Sequence, residues 1–154
     1  MTAFSIEPIG AVRSSRTDPV DDNWDREQSL LVLDPATLGH SATQGLSDFS
    51  HIEVIYLFHR VENSRVTYDA RRPRGNLAWP EVGILAQRGK NRPNRIGATI
   101  CEVIAIEGLE ITVKGLDAID GTPIVDIKPV MHEFLPRSNV LQPRWATELM
   151  ADYW

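Results

Sequence analysis

Apolar residues in this chain occur mainly in short runs separated by proline, glycine and other turn residues, a pattern typical of short β-strands. The run from 51 to 59 is apolar on both alternating faces, which predicts a central strand covered on both sides. The runs 98–106 and 109–114 are rich in β-branched residues and meet at Glu107-Gly108, which predicts a hairpin. Further strands are predicted for residues 5–13, 30–33 and 122–128, and Pro123 places the last at a sheet edge.

Helical patterns are sparse. The residues from Pro35 to about Gln44 predict a turn or a short helix. Near the C-terminus, Pro143 suits the first position of a helix, and apolar residues recur every four positions at Trp145, Leu149 and Tyr153. Such a stripe predicts a helix that packs on the domain or on a second subunit. Many short strands, with ten glycines and ten prolines, favour a β-barrel or β-sandwich over an alternating α/β sheet.

Composition narrows the class of protein. With 154 residues, of which 42% are hydrophobic and 24% charged, the chain is typical of one globular domain that buries a core without a disulfide. Cys101 is the single cysteine, which indicates a reducing compartment, and we therefore expect a cytoplasmic protein. The first thirty residues contain charged side chains and no long apolar run, so neither a signal peptide nor a membrane-spanning segment is predicted.

Charge is distributed unevenly along the chain. The net charge is −5, but residues 60–95 hold nine basic and three acidic side chains, so this basic segment carries +6 and the remainder −11. Such a segment indicates either an anionic partner, for example a phosphate-bearing ligand or RNA, or a solvated arginine-rich loop. Composition alone supports both interpretations.

Several common active-site patterns are absent from the sequence. No glycines are spaced as in the dinucleotide-binding turn of a Rossmann sheet, and Gly89-Lys90 lacks the surroundings of a P-loop. The four histidines and Cys101 form no HExxH or CxxC pattern, so no metal site is predicted. No GxSxG elbow is present, and Cys101, within a β-branched run, is interpreted as an inert buried thiol.

Two dense polar motifs stand out from the remaining β sequence. The first, residues 83–97, combines four cationic side chains with two asparagines, and Pro93 biases Arg92 towards an extended backbone that fixes the direction of its guanidinium. A fixed guanidinium suits a carboxylate or a phosphate. The second, residues 115–129, contains aspartates at positions 117, 120 and 126, and the last of these can pair with Lys128 on the same strand face.

Together these segments resemble the TsaA-like family, which includes TrmO, the tRNA threonylcarbamoyladenosine methyltransferases. The most specific part is the pattern RPNRIG at 92–97 followed by DGTPIVDIKP at 120–129. Other matching positions include Pro8-Ile9-Gly10, Gln28, Gly45-Leu46, Phe49-Ser50-His51, Phe58-His59, Arg71 to Asn76, Gly83, Ala86 and Arg88. The resemblance implies a small antiparallel β-barrel, not a Rossmann sheet, over residues 1–136. The C-terminal tail, residues 137–154, lies outside the resemblance and is predicted to pack on the domain or on a dimer partner.

The resemblance also implies a cofactor and the residues that contact it. The cofactor is S-adenosylmethionine, usually bound near the interface of a homodimer. The residues that contact it in the family correspond in this chain to Gln28, Phe58, His59, Arg88, Ala98, Leu116, Asp117, Ala118 and Ile119. Arg88 would engage the methionine carboxylate, and a carboxylate such as Asp117 or Asp120 suits a cationic ligand. The candidate bases for the proton lost by the acceptor are His59 and Asp120, and the candidate contacts to RNA or another anion are Arg71, Arg72, Arg92 and Arg95.

Two functions of different classes follow from these expectations. The first is an S-adenosylmethionine-dependent methyltransferase acting on threonylcarbamoyladenosine in tRNA, with another RNA or a small molecule as the alternative acceptor. The second is a non-catalytic S-adenosylmethionine-binding module that senses the cofactor or regulates a partner. Bacterial members that act on tRNA carry an additional C-terminal domain, whereas this chain continues with the short tail, which supports the second. The two differ in whether the cofactor is turned over.

Overall fold

The computed structural model describes residues 1–154 and shows a closed barrel of six antiparallel strands. The strands are β1 Gly10–Arg13, β2 Gln28–Leu33, β3 His51–Leu57, β4 Ala70–Arg71, β5 Val82–Gly83, β6 Ile96–Glu107, β7 Glu110–Lys114 and β8 Pro123–Pro129, and the α-helix is α1 Arg144–Leu149. Single turns of 3₁₀ helix lie at Leu46–Asp48, Asn63–Arg65, Pro73–Gly75, Ile84–Ala86, Pro93–Arg95 and His132–Phe134. The barrel order is β1-β2-β7-β6-β3-β8, and β4 pairs with β5 separately. The predicted small antiparallel barrel with short helices and a C-terminal helix is therefore confirmed.

The barrel forms because alternate residues of its strands are apolar, so that one face of each strand is buried. On β3, the side chains of Ile52, Val54 and Tyr56 point inward and are almost completely buried. They pack against Val12, Leu31, Leu33, Cys101, Ile111, Val113, Leu116, Ala118 and Ile124. The barrel interior is a filled core, and a ligand must therefore bind at its surface or at one end.

One stretch of the closed barrel wall lacks strand pairing because β6 is longer than its neighbour β7. β6 has 12 residues and β7 has 5, and their pairing begins at Glu102 opposite Lys114. Beyond Lys114 the chain turns away at Gly115, whose φ of +78° is a left-handed conformation that glycine adopts without strain. Residues 96–101 therefore have a strand neighbour only on the β3 side. We call the gap between residues 96–101 and residues 116–119 the barrel opening.

Two of the predicted strands differ from the observed ones. Residues 5–9 are not in a strand, and β1 begins at Gly10. β8 pairs with β1 on one side and β3 on the other, so the predicted edge position is wrong. Pro123 is tolerated because it is the first residue of the strand. The central position of β3 and the hairpin formed by β6 and β7, with Gly108 at a φ of +60°, agree with the predictions.

The helical predictions are confirmed mainly at the C-terminus. Residues 35–44 form turns, because the carboxylate of Asp34 accepts hydrogen bonds from the amide of Ala36 at 2.8 Å and from the hydroxyl of Thr37. Pro143 precedes α1 as its N-cap, and the helix has only 6 residues. No helix of the chain is of the length and apolar character needed to cross a membrane.

The tail, residues 137–154, packs on the barrel of its own chain through its last turns. The amides of Asn23 and Trp24 each donate a 2.9 Å hydrogen bond to a tail carbonyl, those of Asp152 and Tyr153. The indole N–H of Trp79 donates to the carboxylate of Glu148 at 2.9 Å. The end of the tail is thereby held next to the barrel opening.

Candidate cofactor site

The carboxylate of Asp117 lies at the barrel opening and accepts hydrogen bonds from three hydroxyl groups. Tyr56 of β3 donates to Oδ1 at 2.9 Å, and Thr99 of β6 donates to the same oxygen. Tyr153 of the tail donates to Oδ2. None of the ion pairs in the chain includes Asp117, so no side chain neutralises its negative charge. An ionised carboxylate in this position favours a cationic ligand.

The two tyrosines keep their hydroxyl protons over the physiological pH range. Burial raises the pKa of Tyr56, and the negative charge of Asp117 raises it further. The same two causes raise the pKa of Tyr153. Both hydroxyls therefore act as donors that fix the orientation of the Asp117 carboxylate.

Gly97, the glycine of the RPNRIG motif, makes room for the aromatic side chains beside Asp117. A Cβ atom at Gly97 would lie 2.5 Å from two ring carbons of Tyr56 and 3.0 Å from the ring of Phe58. The rings of Tyr56 and Phe58 meet edge to face, with their centroids 5.4 Å apart. Phe58, a predicted cofactor contact, is half-buried and packs beside Tyr56, whose hydroxyl binds Asp117.

The backbone of residues 116–119 has unused hydrogen-bonding groups. The amides of Gly115 and Asp120 donate to backbone carbonyls, whereas the four amides between them make no hydrogen bond within the chain. The side chains of Leu116 and Ala118 are buried in the core. Ile119 is buried as well, so Asp117 is the one partly exposed residue of the segment. Because buried amides without a partner are costly, the segment is suited to receive acceptors from a ligand, as recognition of a nucleobase edge requires.

Arg88 lies across the barrel opening from the 116–119 segment. Its guanidinium donates a 2.6 Å hydrogen bond to the carbonyl of Ala98 on β6. Because a guanidinium has five N–H donors, this bond orients the group and leaves others free for an anion. Gln28 is paired in register with Lys114, where the chain turns towards the opening. We call Gln28, Arg88, Ala98 and residues 116–119 the candidate cofactor site.

The two candidate bases lie beside the turn at residues 120–121, and their surroundings differ. The carboxylate of Asp120 accepts a 3.1 Å hydrogen bond from the amide of Ser14, so it holds the loop that follows β1. His59 is half-buried, and its Nε2 lies 3.9 Å from the position that a Cβ atom would take at Gly121. Burial lowers the pKa of His59, so its imidazole is neutral and able to accept a proton at pH 7.

The sequence of residues 13–134 matches the family model described as the tRNA-methyltransferase O N-terminal domain. The chain belongs to the TrmO family. A tRNA (adenine(37)-N6)-methyltransferase of Homo sapiens is 35% identical over 99 residues, which are 64% of this chain and 22% of that protein. A probable S-adenosyl-L-methionine-binding protein of Methanothermobacter thermautotrophicus is 38% identical over 134 residues, which are 83% of this chain and 90% of the relative.

Solved structures agree with the family assignment. A crystal structure of TrmO superposes on this chain with a TM-score of 0.76 at 26% sequence identity, and the match covers 92% of this chain and 64% of that one. The resemblance predicted from RPNRIG and DGTPIVDIKP is therefore confirmed. This chain spans about a fifth of the human relative and nearly all of the archaeal one.

The TrmO fold brings most of the predicted cofactor contacts to the barrel opening. Arg88, Ala98 and residues 116–119 border it, Gln28 adjoins its start, and Phe58 packs behind Asp117. His59 lies further along, by the 120–121 turn. None of the three hydroxyl donors, Tyr56, Thr99 and Tyr153, was predicted from the sequence. Tyr153 ends the apolar stripe predicted for the C-terminal helix, a stripe that indicates packing, but α1 ends at Leu149 and Tyr153 lies in the turn beyond it.

Three of the four candidate arginines of the basic segment are held by backbone carbonyls, whereas Nε of Arg71 is buried without a hydrogen-bond partner. Arg92 donates to the carbonyl of Gln87 at 2.6 Å, Arg95 to that of Val61 at 2.6 Å, and Arg72 to that of Trp79. A carbonyl orients a guanidinium but does not cancel its charge, so these positive charges remain available to an anion. The extended backbone predicted for Arg92 is observed, with φ −122° and ψ 161°.

Two further features outside the site bear on the sequence analysis. Burial raises the pKa of the Cys101 thiol to about 12, as expected for an inert buried cysteine. The side chains of Asp126 and Lys128 form an ion pair at 2.6 Å, so the motif's last aspartate pairs on its own strand. No three His, Cys, Asp or Glu side chains come together as ligands for a metal ion.

Proposed function

We propose that this chain is an S-adenosylmethionine-dependent methyltransferase that acts on tRNA, on N6 of the adenine at position 37. The proposal is carried by one juxtaposition at the opening of a TrmO-family barrel. The Asp117 carboxylate and the Arg88 guanidinium, neither of them in an ion pair, border the opening together with a segment that has four unpaired backbone amides. The relatives, a tRNA (adenine(37)-N6)-methyltransferase and a probable S-adenosyl-L-methionine-binding protein, support the same acceptor and cofactor. We further propose that the adenine carries the threonylcarbamoyl group.

The chemistry of these residues fits each part of S-adenosylmethionine. The free backbone groups of residues 116–119 suit the adenine edge, and the guanidinium of Arg88 suits the methionine carboxylate as a bidentate partner. The carboxylate of Asp117 suits the positive charge of the cofactor. The candidate site thus provides a complementary group for the base, the carboxylate and the cationic part of the molecule.

When bound, S-adenosylmethionine supplies an electrophilic methyl group whose bonding electrons stay with sulfur as the acceptor nitrogen forms the new N–C bond. The acceptor nitrogen must then lose one proton to become neutral. His59, neutral at pH 7 because of its burial, is the chain's candidate acceptor for that proton. The remaining task of the protein is to align the reacting atoms and exclude water, for which Arg88 and Asp117 are the orienting groups.

The basic segment is the proposed contact to tRNA. Arg72, Arg92 and Arg95 are oriented by carbonyl oxygens, and no acidic side chain pairs with them. Phosphate contacts of this kind weaken with salt in proportion to their number. A tRNA substrate also agrees with the expected cytoplasmic location.

Calorimetric titration with S-adenosylmethionine tests the cofactor part of the proposal. We expect one-to-one binding by the native chain and at least about tenfold weaker binding by Arg88→Gln, because a bond between charged groups is lost. Arg13→Gln is the matched control, since Arg13 is exposed on β1 and the same charge is removed. Equal affinity of the two variants would remove Arg88 from the site.

Nucleoside mass spectrometry tests the acceptor. The chain is incubated with S-adenosylmethionine and two samples of one tRNA, with and without the threonylcarbamoyl group on adenine 37. Methylation of the modified sample alone supports the full proposal, and methylation of both supports the adenine but not the threonylcarbamoyl group. Cofactor binding without S-adenosylhomocysteine formation on any tRNA would favour the non-catalytic binding module, the alternative suggested by the name of the archaeal relative.

We also propose that the chain is a homodimer. The outer face of β6 exposes Ile96, Ile100 and Ile104, and residues 131–144 are exposed throughout and include Phe134 and Leu141. Exposed apolar surface of this extent supports an interface with another copy. Sedimentation equilibrium tests this, and we expect Ile104→Glu, but not the exposed control Leu85→Glu, to shift the mass towards the monomer.

A further inference from the structure

The last residues of the chain lie outside the region that the family model matches, and yet they reach the candidate cofactor site. The match ends at residue 134, whereas Tyr153 donates a hydrogen bond to Oδ2 of Asp117. This oxygen has no other donor in the chain, because Tyr56 and Thr99 both bind Oδ1. The orientation of the second carboxylate oxygen therefore depends on the tail.

The tail is held in this position by backbone bonds at Tyr153 and at the residue before it. The carbonyl of Tyr153 accepts the amide of Trp24 at 2.9 Å, and the preceding carbonyl, that of Asp152, accepts the amide of Asn23 at 2.9 Å. The ring of Tyr153 also packs edge to face on Trp154, with a centroid separation of 4.9 Å. The hydroxyl of Tyr153 is thus placed by contacts of both its backbone and its ring.

Trp154 extends the same surface along the barrel opening. Its side chain borders a cavity of about 200 Å³ together with Ile100 of β6 and with Lys114 and Gly115. The tail therefore borders the barrel opening at two places, the Asp117 carboxylate and this cavity.

From these contacts we propose that the tail is one wall of the cofactor site and that Tyr153 is a positioning residue, which holds the Asp117 carboxylate in the orientation that binds the cofactor. This inference rests on the proposed function and adds to it a segment beyond the family model. The physical reason is preorganisation. A carboxylate fixed by donors on both oxygens does not have to be ordered when the ligand binds.

The experiment is a calorimetric titration of three variants with S-adenosylmethionine, together with a measurement of their melting temperatures. Tyr153→Phe removes only the hydroxyl, and we expect at least about tenfold weaker binding, the effect of one hydrogen bond to a charged group. Tyr68→Phe is the matched control, because Tyr68 is exposed and makes no hydrogen bond. Trp79→Phe removes the bond to Glu148 of α1 and leaves the bonds of Asn23 and Trp24 that hold residues 152 and 153, so we expect a lower melting temperature and unchanged affinity.

A double-mutant cycle separates positioning from a general structural role. If Tyr153 acts through Asp117, Tyr153→Phe causes no further loss of affinity in an Asp117→Asn background. Equal affinities of Tyr153→Phe and Tyr68→Phe would overturn the inference and leave the proposed function standing. Tighter binding by Tyr153→Phe would also overturn it, since the hydroxyl would then compete with the ligand, and so would an equal loss in Trp79→Phe. Failure of the native chain to bind would overturn the proposed function and this inference with it.

Discussion

Replacing Gly97 with alanine perturbs the fold and the candidate site through a single added carbon. The new Cβ atom would lie 2.5 Å from two ring carbons of Tyr56, whereas carbon atoms in contact are separated by about 3.5–4.0 Å. The ring must therefore move by about 1 Å. Tyr56 is only 2% exposed, so neighbouring core residues must move with it. Overpacking of this kind costs about 1–3 kcal/mol.

The same movement affects the hydrogen bond between Tyr56 and Asp117. The bond is 2.9 Å long, so a shift of about 1 Å would break it. Leaving the buried Tyr56 hydroxyl without this partner costs a further 1–3 kcal/mol or so, the desolvation penalty of a buried polar group. We expect Gly97→Ala to lower the free energy of unfolding by about 2 kcal/mol or more, and the melting temperature by at least about 4 °C. The affinity for S-adenosylmethionine should fall as well.

Urea denaturation followed by circular dichroism measures the first effect, and Gly83→Ala is the matched control. Gly83 has an extended backbone with a φ of −57°, and no atom lies within 4 Å of the position of its Cβ. This control should be neutral or more stable by about 0.4–1 kcal/mol, because alanine restricts the unfolded chain. If Gly97→Ala were as stable as Gly83→Ala, the packing explanation for the motif's glycine would be refuted.

Three other predictions concern single side chains. Cys101, with a pKa raised to about 12 by burial, should not react with a thiol reagent at pH 8 in the native chain and should react fully in urea; rapid native labelling would contradict its burial. Burial lowers the pKa of His59 in the folded state, so between that lowered pKa and the ordinary pKa of about 6.5 the unfolded chain binds more protons than the folded one. The free energy of unfolding should therefore rise with pH over this interval. His59→Asn should reduce that rise in urea titrations at several pH values, and an unchanged slope would assign it to other groups. Arg92→Gln should weaken tRNA binding, and reduce the salt dependence of that binding, more than Arg13→Gln does. Filter binding at several salt concentrations measures both effects. Equal effects of the two variants would show that Arg92 does not contact tRNA.

Local patterns were enough to predict most of the strands and the family. The alternation of apolar residues predicted β3 and the hairpin of β6 and β7 because one buried face per strand imposes a period of two. It failed at β8, where Pro123 indicated an edge strand. Whether a strand lies at an edge depends on its neighbours, and the barrel closes between β8 and β1 through residues more than a hundred positions apart.

The candidate site was predictable in its residue types and only partly in its contacts. The motifs identified Arg88 and Asp117 because their spacing belongs to a known family, but no local pattern connects Asp117 to Thr99 or Tyr153. Those partners lie 18 and 36 residues away and meet at an opening created by unequal strand lengths. Sequence spacing does not reveal these hydrogen bonds, because the path of the intervening chain determines which distant residues come into contact.

The sequence by itself determined the class of fold, the family and the charged character of the residues that a cationic cofactor and an anionic RNA would require. These follow from local periodicity and from motifs, which each stretch of chain carries independently of the rest. Only the tertiary structure decided that the arginines are oriented by backbone carbonyls, that Gly97 makes room for Tyr56, and that the tail reaches Asp117. Each of these contacts joins segments that the closed barrel brings together, so it forms only when the barrel has fixed those segments in place.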